Sequence, residues 1–181
     1  MPRNKTGKTA LCGVFCGLAV VLLSLGGMIP IATFCAPALA GLCAVPVAVE
    51  FGEKSGVMIY LVTAVLSVFF CPDLEAVCMF VFLLGYYPLM KPRLDKIKHK
   101  LLRLAAKLGV FNFAILLCYG LLLFVFPLPA LQEEMAEMGK LAAIGLLVLG
   151  NFTFIIYDAA LVNIFHVYLE RFRPKIFSGK K

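Results

Sequence analysis

This sequence predicts an all-α polytopic membrane protein with six transmembrane helices, and three observations carry that expectation. Apolar residues make up 62% of the chain and charged residues only 15%, whereas a soluble domain is about half apolar and about a quarter charged. The apolar residues gather into blocks of near-span length, punctuated by Gly, Pro and charge. The basic residues flank these blocks instead of interrupting them, so the net charge of +7 reads as topology signal and lipid contact, with no nucleic-acid partner expected.

The first span covers residues 10–26, behind the basic start Arg3, Lys5 and Lys8 and closed by Gly26-Gly27 and Pro30. A basic start before an apolar run also describes a signal peptide, but the cleavage-like Ala38-Leu39-Ala40 lies inside the next apolar block, so no cleavage is expected. The second span, 31–49, contains Pro37 and Pro46. The third, 56–71, stops at Cys71-Pro72-Asp73, and the fourth covers 75–90. Such middle blocks are short, since 15 helical residues reach about 22 Å against a hydrocarbon core of about 30 Å. Either flanking residues extend the helices or irregular backbone is shielded inside the bundle.

Residues 91–107, KPRLDKIKHKLLRLAAK, carry seven Lys/Arg against one Asp. Leu94, Ile97, Leu101 and Leu104 recur at helical spacing among Lys96, Lys98, Lys100, Arg103 and Lys107. Pro92 suits a first helical turn. The expectation is one basic amphipathic helix on the cytoplasmic membrane surface, between the fourth and fifth spans. The fifth span is 108–126, ended by Pro127 and Pro129. An acidic loop with Glu133, Glu134 and Glu137 leads to the sixth span, 141–168, and a basic tail closes the chain.

Six spans put the termini and the even-numbered loops on one side, which then holds 16 of the 17 Lys/Arg. The positive-inside rule makes that side cytoplasmic in a plasma membrane. The opposite side holds Asp73, Glu75 and the three glutamates.

Several patterns carry little chemistry. Gly7-Lys8-Thr9 lacks the glycine a phosphate-binding loop needs five positions earlier, where Pro2 stands. His166 and Glu170 are one turn apart but have no third ligand in view, so no metal site is expected. The seven cysteines form no CxxC pair, and a Cys35–Cys71 disulfide on the outer side is a minor alternative. With no nucleophile–base pair and no paired carboxylates at catalytic spacing, neither enzyme activity nor a cofactor is expected.

Three features point further. Gly13 and Gly17 form a GxxxG pair in the first span, and Ala36, Ala40, Ala44 and Ala48 repeat every four residues in the second. Such stripes either pack inside the bundle or dock another membrane protein. The last span holds Asn151, Asp158 and Asn163, with Asn151 and Asp158 seven apart on one face. An intramembrane carboxylate has a partner or lines a pathway, so Asp158 is either structural or functional. Tyr119 and Asn112 on the fifth span are candidate partners of Asn151 in a polar pocket. Finally, the first outer loop, Gly26-Gly27-Met28-Ile29-Pro30, can bend into a lid near Asp73 and Glu75.

The chain resembles the substrate-binding S components of energy-coupling factor (ECF) importers of vitamins and micronutrients. The likeness rests on length, six spans, a basic start and small residues four apart in the first span. It also rests on Ala36-Pro37-Ala38-Leu39-Ala40-Gly41, on Phe51-Gly52-Glu53-Lys54-Ser55-Gly56 with its FGxxxG turn, and on Gly85-Tyr86-Tyr87-Pro88-Leu89-Met90-Lys91. The resemblance implies capture of a small molecule from outside, in a pocket between the outer halves of the later helices. It implies partners that supply energy: a transmembrane T component and two cytoplasmic ATPase subunits. By the same likeness Gly13 and Gly17 would meet the T component, where the family more typically has alanines. Tyr119 and Asn151 would line the pocket, and Asp73 and Glu75 would stand at its mouth. The main rival is a structural or assembly membrane protein whose basic helix holds lipid or a protein partner. A small channel or proton-coupled carrier using Asp158 is a further one.

Overall fold

A computed structural model of the chain describes residues 5–26, 32–125 and 139–172, and every regular element among them is helical. Five helical segments are long and apolar enough to cross a membrane: Gly7–Gly26, Glu53–Phe70, Leu74–Leu94, Lys100–Phe124 and Leu141–Arg171. They correspond to the predicted first, third, fourth, fifth and sixth spans. The predicted second span is a shorter apolar segment, Cys35–Phe51. The expected lid, the acidic loop and the tail beyond residue 172 lie outside the described residues, apart from Gly26 at the lid's start.

The structure forms two units, residues 1–126 and 127–181. In the first, α1 is Lys5–Gly26. The next helices are α2, Cys35–Leu42, and α3, Ala44–Phe51, separated only at Cys43. Pro46 explains the break: it has no N–H for the Leu42 carbonyl, and its ring collides with that carbonyl in a continuing helix. Gly52 then turns the chain with φ 91°, a left-handed value that penalises any side chain. Helix α4, Glu53–Phe70, follows. It ends because Pro72 disfavours helical backbone at the residue before it, and Cys71 is extended, with φ −90° and ψ 128°.

The next segment, Leu74–Leu94, is irregular. Helix α5, Leu74–Met79, opens into a π-helical turn, Phe80–Leu84, and resumes as α6, Tyr87–Leu94. Pro88 cannot donate to the Leu84 carbonyl, and Gly85 N–H reaches back five residues to the Phe80 carbonyl at 2.8 Å. Tyr60 Oη, from α4, donates to the Val81 carbonyl at 2.7 Å. This segment is 67% buried, against 28% for the α4 span and for Lys100–Phe124, so the irregular helix forms the centre of the unit. The short middle blocks thus follow both expected courses: flanking residues lengthen the third and fourth to Glu53–Phe70 and Leu74–Leu94, and in the fourth irregular backbone is shielded by protein.

Helix α7 is Lys100–Phe124. The basic stretch 91–107 is thus not one surface helix. Its first four residues finish α6, residues 95–99 form a corner, and the rest begins α7, while Pro92 lies inside α6 instead of opening a helix. The corner has an electrostatic reason. Asp95 caps nothing in α7 but binds Lys91 at 3.6 Å and Lys107 at 2.6 Å, drawing both arms of the reversal together, and both lysines are buried. A straight helix would hold Lys107 about 18 Å along the axis from Asp95.

Small residues set the closest approaches. A side chain at Gly41 would strike the Leu84 carbonyl, and one at Gly56 would meet Ala48 and Leu89. Ala36, Ala40 and Ala44 are buried, so the alanine repeat packs internally. Gly13 and Gly17 are exposed with open space around them. The second unit contains α8, Lys140–Val167, closed by a π-helical turn, Tyr168–Phe172.

Gly41→Leu should lower the thermal midpoint of the detergent-purified protein, at a cost of about 1–3 kcal/mol for overpacking, while Gly13→Leu leaves it unchanged. Asp95→Asn should cost about 1.5–3 kcal/mol, measured in the same assay, because the corner loses its charged acceptor.

Candidate functional site

Contacts between helices sort the first unit into two ends. At one end Lys8 lies over the Phe51 ring at 5.7 Å, Arg93 binds Glu53 at 2.6 Å, and Asp95 binds Lys107. At the other, Cys71 Sγ donates to the Leu23 carbonyl at 3.3 Å, and Tyr119 meets Glu75. The 18 residues of α4 separate these ends by about 27 Å. One end is basic; the other is acidic and aromatic.

The second end is built from the start of α5 outward. Asp73 is the N-cap of α5, and its Oδ1 accepts from the backbone N–H of Glu75 at 2.9 Å and of Ala76 at 3.1 Å. That capping fixes the direction of α5's first turn and satisfies two donors that a helix start leaves open. Glu75, in that turn, is half-buried, and Tyr119 Oη donates to its Oε1 at 2.8 Å from α7. One turn further in, the side chains of Cys78 and Cys118 face each other across the same two helices, both buried. The pairs 75–119 and 95–107 show that α7 runs antiparallel to the Leu74–Leu94 segment.

Of the predicted pocket residues, the structure brings Tyr119 and Glu75 into direct contact and puts Asp73 beside them as a helix cap. Asn112 Nδ2 donates to the Leu108 carbonyl of its own helix at 2.8 Å. Asn151 Nδ2 does the same to the Leu147 carbonyl at 2.8 Å. Asn151 and half-buried Asp158 lie on α8, in the second unit, whereas Tyr119 lies in the first. The disulfide alternative is corrected, since Cys35 and Cys71 are both free thiols and Cys71 is buried against α1. Among the described residues no three of His, Cys, Asp and Glu gather as metal ligands.

Sequence reasoning missed the Cys78–Cys118 pairing and the Tyr60–Val81 bond. Neither leaves a local signal, because 40 and 21 residues separate the partners.

No family model, no curated protein and no solved structure matches the chain.

The Tyr119–Glu75 bond should stabilise the unit. Tyr119→Phe is expected to cost about 1–2 kcal/mol, with the loss non-additive with Glu75→Gln in a double-mutant cycle. Asp73→Ala should cost about 1 kcal/mol through the lost cap.

Proposed function

We propose that the chain is the membrane-embedded substrate-binding subunit of a multi-subunit importer. It captures a small vitamin-like or micronutrient solute from outside and relies on separate ATPase subunits for energy. The observation that carries this reading is the hydrogen bond between Tyr119 and Glu75 at the acidic, aromatic end of the first unit. These two residues are 44 apart in sequence, and the sequence points to each of them as a pocket residue on separate grounds. The distribution of Lys and Arg supports an orientation with both termini in the cytoplasm and six spans in the plasma membrane, the short Cys35–Phe51 segment included. In that orientation Glu75 and Tyr119 face the outside.

The chemistry suits reversible capture. A phenol hydroxyl both donates and accepts, and the Glu75 carboxyl oxygens have room for more than one hydrogen bond. A solute bearing an N–H or O–H exchanges with Tyr119 at Glu75 without leaving either group stranded. Asp73 serves the site by holding α5 in place. The exposed glycines of α1, Gly13 and Gly17, supply the docking face for a transmembrane T component. The sequence has no nucleotide-binding loop of its own, which agrees with ATPase activity residing in two cytoplasmic partners.

A thermal-shift screen of the detergent-purified protein against vitamins, their precursors, nucleobases and trace metals tests the reading. One compound should raise stability by about 2.7 kcal/mol at a hundredfold excess over Kd, and Tyr119→Leu should abolish the shift. A folded protein silent across the whole library would favour the assembly protein instead.

A further inference from the structure

The cationic corner between α6 and α7 divides into two sets. Lys91 and Lys107 are buried on Asp95, and Arg93 is bound to Glu53, so these three are committed to the fold. Lys96, Lys98, Lys100 and Arg103 make no ion pair with any acidic group among the described residues, and all but half-buried Arg103 are exposed. Four cations within eight residues of chain repel one another unless an anion lies near them.

What adjoins them is apolar. Leu101 is 83% exposed and Leu102 58% exposed. From Leu102 an exposed stripe descends α7 at helical spacing through Ala105, Gly109 and Phe113 to Leu116. Ala105 and Gly109 leave a shallow furrow between the bulkier Leu102 and Phe113, and the space around Gly109 is open. A surface this apolar directly below a group of cations fits a ligand with an anionic head and a hydrocarbon chain.

We propose that this corner is a binding site for an anionic phospholipid. The phosphate sits among Lys96, Lys98 and Lys100, and an acyl chain lies along the furrow at Ala105 and Gly109. A water-facing acidic peptide would meet the cations but leave the furrow unfilled. A free phosphate would do the same. The site is independent of any solute carried at the opposite end. It gives the basic corner a ligand, where the positive-inside rule gives it only a side of the membrane.

The test is thermal unfolding of the intact protein in detergent micelles titrated with phosphatidylglycerol or with phosphatidylcholine of identical chains. Phosphatidylglycerol should stabilise saturably, phosphatidylcholine and inorganic phosphate should not, and the effect should weaken as salt is raised. Combining Lys96→Gln, Lys98→Gln and Lys100→Gln should weaken apparent affinity on the order of a hundredfold. Gly109→Leu, which fills the furrow and keeps every charge, should weaken it as well. Lys8→Gln with Lys54→Gln, on α1 and α4 at the same end, should leave it intact. Equal stabilisation by both lipids, full affinity in Gly109→Leu, or equal loss in the Lys8/Lys54 variant would overturn the site.

Discussion

Hydrocarbon offers the backbone no hydrogen-bond partner, and the segment Leu74–Leu94 breaks its own helical ladder. The rest of the first unit is arranged around that fact. The π-helical turn and Pro88 disturb the ladder near Val81 and Leu84; the Tyr60 hydroxyl donates to the Val81 carbonyl, and α2 packs closely over Leu84 and covers it. That approach is possible only because residue 41 is glycine. An irregular helix can be the centre of a membrane bundle, where straight helices surround it and face outward. The exposed leucines, valines and phenylalanines of α1, α4 and α7 are the lipid-facing counterpart of that buried centre.

The two ends of the bundle are fastened by different chemistry. At the basic end acids are few and cations many, so Asp95 gathers two lysines while Glu53 anchors Arg93. Buried lysines are tolerated there because a carboxylate accompanies them. At the other end, neutral and acidic groups cooperate through Asp73's cap and the Tyr119–Glu75 bond, with no cation taking part in those bonds. The two ends of the first unit therefore differ in charge as well as in the bonds that fasten them.

Two stripes of small residues with the same spacing have opposite fates. The alanines of α2 and α3 are covered by neighbouring helices, while Gly13 and Gly17 face open space. Spacing says only that a helix can be approached closely. Which face is approached depends on where the other helices run, and α1 turns Cys16, Ala19 and Leu23 inward, leaving its glycines out.

The sequence by itself determined the class and the punctuation. Composition, apolar blocks and flanking charge pointed to a helical membrane chain, and Pro72 and Gly52 marked true helix boundaries. These are local effects, carried by one residue's backbone or side chain and so visible in one residue's identity. The pairing of Glu75 with Tyr119, the reach of Tyr60 to Val81 and the bend at Asp95 were decided only by the tertiary structure. Amphipathic periodicity across 91–107 was real, but periodicity describes a helix's faces and not its continuity. An ion pair that closes a reversal of direction outweighs the small cost of opening a few helical hydrogen bonds to water at the bundle's edge. Such long-range contacts depend on which helices become neighbours, and no single stretch of sequence carries that information.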